Sequence, residues 1–214
     1  NETFFYTVDD ETKRPYQVRR HRLRQSDPDP VLYQDDDERF RVAVWRSRSG
    51  QYVFRGSFSH TTSEVAFVRA DRPRSKWRLV EPREQDIEYD VEHHGDDFLI
   101  RTNDRGRNFR IVRAPVDDPG RDSWREVVEH RDDVMLEGLD VFEDFYVLLE
   151  RENGLPHVRV VPFSDGFGDR IEIEEPVYAI YPDRNEEFST NVYRFRYESL
   201  TTPDSVFDYD VQTQ

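Results

Sequence analysis

The sequence predicts an all-β fold, and three observations carry that prediction. Short runs rich in Val, Ile, Phe and Tyr recur between clusters of Asp, Gly, Asn and Pro, which is the alternation of strands with turns. Apolar spacing of the helical kind is almost absent. The runs also repeat: Ser63-Glu64-Val65, Asn108-Phe109-Arg110, Pro156-His157-Val158 and Ser205-Val206-Phe207 follow one another at spacings of 45, 48 and 49 residues. A period of about 40–50 residues is that of four-stranded antiparallel propeller blades, each needing four short strands and three turns.

Taken in order, the first unit, residues 1–36, offers Phe4–Val8, Tyr16–Leu23 and Val31–Tyr33 as three strands with no innermost strand before them. Residues 37–85 form a whole blade from Phe40–Trp45, Tyr52–Phe58, Val65–Ala70 and Trp77–Val80, with Ser49-Gly50 turning its first hairpin. Residues 86–130 form the next, from Ile87–Val91, Phe98–Thr102, Phe109–Arg113 and Trp124–Val128. In residues 131–175 the strands are Val134–Leu139, Phe145–Glu150, Val158–Pro162 and Ile171–Ile173, and Asn153-Gly154 is a strong hairpin signal. Residues 176–214 hold Val177–Tyr181, Phe188–Phe195 and Val206–Val211, an incomplete blade. The expectation is therefore a partial β-propeller of about four to five blades, whose terminal sheets leave apolar faces bare. A fragment of this kind made alone is expected to cover those faces by forming a homodimer. The competing arrangement is a self-contained five-bladed ring closed by its terminal pieces.

Composition sets the boundaries of function. Charged residues make up 36% of the chain, yet 15 Phe, 11 Tyr and 3 Trp supply enough apolar surface for a folded, soluble domain. No apolar run approaches the ~20 residues of a membrane span, and Asn1-Glu2-Thr3-Phe4 lacks the order of a signal peptide, so no membrane partner is expected. The absence of cysteine excludes thiol chemistry and fits a reducing, cytoplasmic location. A net charge of -15 repels polyanions, so nucleic acid is not an expected partner, whereas cationic ligands are attracted.

Candidate chemistry is sparse. No G-x-S-x-G elbow occurs, and Arg46-Ser47-Arg48-Ser49-Gly50 reads as a turn, so no nucleophile is assigned. His93-His94 is the one adjacent histidine pair; on a strand its rings point to opposite faces and cannot easily chelate one ion, and no metal or other cofactor is expected. Asp35-Asp36-Asp37-Glu38 and Glu172-Ile173-Glu174-Glu175 read as solvated turns, the first discouraging stray edge pairing between blades. Trp77 and Trp124 occupy corresponding places in successive units and read as blade-packing residues. The carboxylates to single out lie on innermost strands beside a central channel: Glu88, Asp90 and Glu137. They are expected either to line an acidic passage that favours basic peptides or to bond neighbouring blades.

The wording of the strands resembles a known family. The most specific pieces are Thr61–Val65 (TTSEV), Thr102–Phe109 (TND..G.NF), Met135–Gly138 (MLEG) and Thr201–Asp210 (TTPDSVFDYD), and together with their spacing they are similar to the propeller of oligopeptidase B (protease II) enzymes of the prolyl oligopeptidase family. The resemblance implies part of a seven-bladed propeller that caps an α/β-hydrolase domain carrying a Ser-Asp-His triad and acts as a sieve. It further implies a whole protein that cleaves short peptides after Arg or Lys, with its own C-terminal hydrolase domain and short basic peptides as partners. The segment by itself is expected to be inactive. Two other readings are a stand-alone interaction propeller and a small propeller glycosidase, the latter needing inward acids about 5–10 Å apart.

Overall fold

Eighteen strands pair into five separate antiparallel sheets in the computed structural model, which describes residues 2–164, 166 and 168–213. The first sheet holds β1 (Thr3–Asp9), β2 (Pro15–Arg22) and β3 (Val31–Gln34). The second holds β4 (Arg41–Arg46), β5 (Tyr52–Phe58), β6 (Ser63–Arg69) and β7 (Arg78–Glu81). β8 (Tyr89–His94), β9 (Asp97–Thr102), β10 (Arg110–Pro115) and β11 (Arg125–Val128) make the third, with one 3-10 turn at Arg121–Ser123 before its last strand. The fourth comprises β12 (Val134–Val141), β13 (Phe145–Glu152), β14 (Leu155–Pro162) and β15 (Asp169–Arg170); the fifth comprises β16 (Tyr178–Pro182), β17 (Val192–Ser199) and β18 (Ser205–Asp210). Within every sheet, neighbours in space are neighbours in sequence, as tight hairpins require. The Asn153-Gly154 hairpin has both residues at positive φ, 51° and 84°, the geometry that matches strand twist.

The sheets stack face to face, which explains why strands such as Phe98-Leu99-Ile100 are apolar on both sides. Phe98 and Ile100 join Tyr52, Phe54 and Phe67 in a core between the second and third sheets. Leu99, on the opposite face, joins Leu136, Tyr146 and Leu148 in a core between the third and fourth. A third core sets Phe145, Val147 and Val158 against Tyr193 and Phe195 of the fifth sheet. Each whole blade is thus sandwiched, and burial of both faces supplies the hydrophobic stabilisation that a lone four-stranded sheet lacks. Across successive blades, β6 lies against β8 and β14 against β16; in the first sheet it is β2 that lies against β4. β2 therefore holds a third-strand position, and the innermost position of the first sheet is unfilled among the described residues. Large apolar side chains stay exposed on the terminal sheets, including Phe4, Val31, Val177, Tyr181, Val206 and Phe207.

Three expectations shift on inspection. The last strand of the fourth sheet is Asp169–Arg170 rather than Ile171–Ile173, because both isoleucines turn to pack on the core shared with the fifth sheet. Trp77 and Trp124 each stand one residue ahead of the outermost strand and pack: Trp77 edge-on against Phe5 at 5.3 Å, Trp124 buried against Tyr89. The middle strand of the fifth sheet runs Val192–Ser199, four residues later than the expected Phe188–Phe195, since the Phe188 carbonyl instead accepts the Glu143 amide. Asn1 and Gln214, the outer limits of the first and last expected units, lie outside the described residues.

Candidate functional site

The inner strands carry the carboxylates that the sequence singles out, and arginines on the adjoining strands meet two of them. Asp90 on β8 faces Arg101 on β9 in register and accepts its Nε at 3.0 Å and an Nη at 2.5 Å. Glu137 sits at an irregularity in β12 and accepts Arg151 Nε of β13 at 2.6 Å and an Nη at 3.1 Å. Glu88, just ahead of β8, is partly buried and has no ion pair among the described residues; burial raises its carboxyl above the usual range, Arg101 pulls it down, and Asp90 pushes it up again. Arg101 also donates to the Leu136 carbonyl at 2.9 Å and lies over the Phe109 ring, so Asp90 orients an arginine that ties the third sheet to the fourth. Asp90 and Glu137 thus each pair with an arginine of their own sheet, and it is Arg101 that reaches the next blade.

A second cluster gathers at the far ends of the inner strands. The Arg48 guanidinium, from the β4–β5 turn, pairs with Asp140 of β12, which also accepts the Tyr193 hydroxyl of β17 at 3.3 Å. Arg48 further covers the Phe142 ring at 4.3 Å. Glu92 of β8 reaches the same place: burial pushes its carboxyl up to about 7, against the pull of Arg48 and with the added push of Asp140. One Arg48 Nη and Glu92 Oε2 are shut off from water without a hydrogen-bond partner among the described residues. Beside them, Ser49 Oγ and His93 Nδ1 lie 2.8 Å apart. A serine within hydrogen-bond reach of a histidine is the geometry of an activated nucleophile. Here His93 is 1% exposed, its Nε2 has no partner among the described residues and burial lowers its pKa, so the pair reads as a staple of the second sheet to the third. His94 points the other way, stacked on Phe163 with Nε2 2.8 Å from the Glu143 carbonyl oxygen. The sequence could not have found this cluster, because Arg48 and Asp140 stand 92 residues apart.

Two of the short motifs reach across to the next blade, and the others also fix turns and pairs within a blade. In TTSEV, Ser63 Oγ donates to the Tyr89 carbonyl at 2.8 Å and accepts the Tyr89 amide, while Val65 donates its amide to the Tyr89 hydroxyl at 2.8 Å. In TND..G.NF, Asn103 Oδ1 takes the Glu88 amide, Asp104 holds Arg110 through two 2.8 Å bonds, and Asn108 donates to the carbonyls of Arg131 and Asp132. Gly138 of MLEG has no room for a side chain, since a Cβ there would lie 2.8 Å from Leu149. The Asp35–Glu38 run needs correction: Asp35 is not solvated but 2% exposed. It accepts the Tyr33 hydroxyl, the Ser57 hydroxyl and an Arg83 Nη at 2.8, 2.5 and 2.8 Å, joining the first sheet to the second. Burial opposes its ionisation, but those bonds more than offset it and hold the carboxyl below its ordinary value. Among the described residues, no three His, Asp or Glu side chains gather to hold a metal ion.

The family profile described as the prolyl oligopeptidase, N-terminal beta-propeller domain, matches residues 1–214. The chain belongs to the prolyl oligopeptidase family. It is similar to Protease 2 of Moraxella lacunata, 38% identical over 210 residues that make up 98% of this chain and 30% of that protein. It is also 35% identical to dipeptidyl aminopeptidase BI of Pseudoxanthomonas mexicana over 98% of this chain and 29% of that protein. Oligopeptidase B from Trypanosoma brucei with covalently bound antipain, in a closed form, superposes with a TM-score of 0.92 at 32% identity over 99% of this chain and 32% of that one. The chain thus spans less than a third of the length of these relatives and is a partial β-propeller from the N-terminal domain of a prolyl oligopeptidase-family protein. Of its most specific words, Thr61–Val65 and Thr102–Phe109 hold residues that tie one blade to the next.

Proposed function

We propose that this propeller is the gating domain of a serine oligopeptidase that cleaves short peptides after Arg or Lys. The observation that carries the reading is the superposition on oligopeptidase B over 99% of the chain, TM-score 0.92. In this reading the ring covers an α/β-hydrolase domain elsewhere in the longer protein, which supplies the nucleophile, base and oxyanion donors. The propeller's own part is exclusion: stacked sheets with buried faces on both sides form a rigid wall that folded proteins cannot pass, so hydrolysis is confined to peptides small enough for the shared cavity.

Glu88, Asp90 and Glu137 form the acidic lining of the passage in this proposal, and their pairing sets its strength. Arg101 serves Glu88 and Asp90 together, leaving one net negative charge, while Arg151 neutralises Glu137. Focusing of basic peptides therefore rests mainly on Glu88, and exposed charge of this size is screened within ~8 Å at physiological salt. The cysteine-free composition supports a cytoplasmic setting. The test uses the full-length protein with fluorogenic peptides ending in Arg, Lys or Pro, and with casein as a long substrate. Fast release after Arg and Lys, with casein untouched, is expected; equal cleavage after Pro, or degradation of casein, overturns the reading. Glu88→Gln should lower turnover of an Arg-Arg substrate about twofold at low salt and leave it unchanged at high salt.

A further inference from the structure

The loop from β6 to β7 reverses the charge balance of the molecule. Residues 69–78, RADRPRSKWR, hold five bases and one acid in a chain that carries 46 acids against 31 bases. The lone acid, Asp71, is taken by Arg69 through two 2.9 Å bonds. Arg72 and Lys76 are exposed and have no ion pair or side-chain hydrogen bond among the described residues. Lys76 is also one of only two lysines in the sequence. Unpaired cations crowded into one loop repel each other, and nothing in the packing of the blades calls for them.

These cations rim a cavity. A concavity of about 180 Å³ lies between this loop and the third sheet, lined by Arg69, Arg72, Ser75, Lys76, Arg78 and Asp117 over a floor of Tyr52, Phe67 and Val116. The floor residues are buried and belong to, or adjoin, the core between the second and third sheets. Arg78 closes one wall, its guanidinium 5.2 Å from the Phe67 ring centre and bonded to the Asp117 carbonyl. The loop is held from behind as well: Arg20 of β2 donates to the Pro73 carbonyl at 3.1 Å, and Phe5 meets Trp77 edge-on. Its backbone closes through turns, with Arg72 N bonded to Arg69 O and Ser75 N to Arg72 O. The cavity is therefore preformed, which lowers the ordering cost of a ligand. It also sits between two whole blades, away from the bare terminal sheets.

We propose that this cavity binds an organic carboxylate, its apolar body on Tyr52, Phe67 and Val116 and its anionic end between Arg72 and Lys76, with the Ser75 hydroxyl as a further donor. The space accommodates a body of roughly ten non-hydrogen atoms at protein packing density. That is the size of one aromatic side chain with its carboxylate, such as the free C-terminus of a short peptide or a small aryl acid. Neither the polar rim nor the apolar floor alone selects that class; together they favour a molecule with both parts. A contrasting concavity beside β15 has arginines too, but Arg159 and Arg170 are already bonded to Glu150, and Arg170 also to Glu152.

The test is binding of 3-phenylpropionate to the full-length protein, followed by ligand-observed NMR and calorimetry, beside its neutral isostere 3-phenylpropanamide and inorganic phosphate. The acid should bind at least tenfold more tightly than either, and its affinity should fall as salt rises. Acetyl-Gly-Phe distinguishes the sources: tighter binding than the aryl acid supports a peptide terminus, weaker binding a free small acid. The double variant Arg72→Gln, Lys76→Gln removes exposed groups with no structural partner, so it should keep the parental melting temperature and lose the acid's binding at least tenfold. Equal binding of the amide, equal binding of phosphate, or unchanged affinity in the double variant overturns the proposal.

Discussion

Replacing Glu92 with glutamine should stabilise the protein, and only above mildly acid pH. The Glu92 carboxyl is pushed from 4.5 up to about 7 by burial, with Arg48 opposing and Asp140 assisting. The groups around it are the Arg48 guanidinium, the Asp140 carboxylate, the buried His93 ring and the Tyr193 hydroxyl. Below pH 4.5 the folded and unfolded chains both carry the proton and the folded state loses nothing. Between 4.5 and about 7 the unfolded chain ionises while the folded one resists, so stability drains away as pH rises. Above 7 the loss is complete, and the gap between the two values corresponds to ~3 kcal/mol as a ceiling, because the residue as a whole is only partly buried. Glutamine mimics the protonated form at every pH. The measurement is urea unfolding of both proteins at pH 5, 6, 7 and 8, read by tryptophan fluorescence. Near-coincident midpoints at pH 5 should diverge until the variant leads by about 1 M urea at pH 8, given slopes of about 2–3 kcal/mol per molar. Parallel curves across the range, or a variant weaker at pH 8, would refute the argument that a strained carboxyl sits at this junction.

Asp35→Asn should cost about 3 kcal/mol, since the amide leaves Arg83 without its counter-charge and, with its oxygen kept for Tyr33 and Ser57, turns its NH2 toward the Asp37 amide that the carboxylate accepted. The depressed pKa of Asp35 gives the opposite pH sense from Glu92: its contribution is present at neutral pH and is lost as acid protonates it, so the variant should differ least from the parent at the acid end. Gly56→Ala should lower the melting temperature through overpacking of about 1–3 kcal/mol, because a Cβ there would stand 2.1 Å from the Phe58 ring and 2.9 Å from Trp45. The 214-residue chain expressed by itself should self-associate through Val177, Tyr181, Val206 and Phe207 or the face around Phe4, and light scattering should show mass rising with concentration; a constant monomer mass would contradict this.

Much of the architecture could be read from residue order because stacked sheets impose a simple pattern: apolar runs where both faces are covered, turn residues between them. The Phe98–Ile100 and Phe145–Leu148 runs were legible for that reason. Ile171 and Ile173 misled because apolar character reports burial, and burial by packing on a neighbour looks the same in sequence as burial by strand pairing. Asp35 misled in the opposite sense: one residue in an acidic run turns inward while Asp36 and Glu38 remain at the surface, and its partners Ser57 and Arg83 lie 22 and 48 residues on. The chosen carboxylates fared unevenly. Glu88 and Asp90 stand two residues apart, yet Arg101, which answers both, comes from β9, and Glu92, which the sequence did not single out, meets Arg48 from the preceding blade.

The seams have a consequence for how the molecule comes to exist. Ser63 fastens β6 to a strand made about twenty-five residues later, Asn108 reaches the segment about two dozen residues on, and Arg101 waits for Leu136. Every such fastening looks a short way forward along the chain. A ribosome releasing this polypeptide would therefore let each petal dock on its predecessor as soon as it emerges, with little need for distant segments to find one another. Among the ion pairs of the described residues the Arg48–Asp140 link spans the longest interval, 92 residues, and it closes only once the second, third and fourth sheets are together, as a bolt drawn across petals already in place.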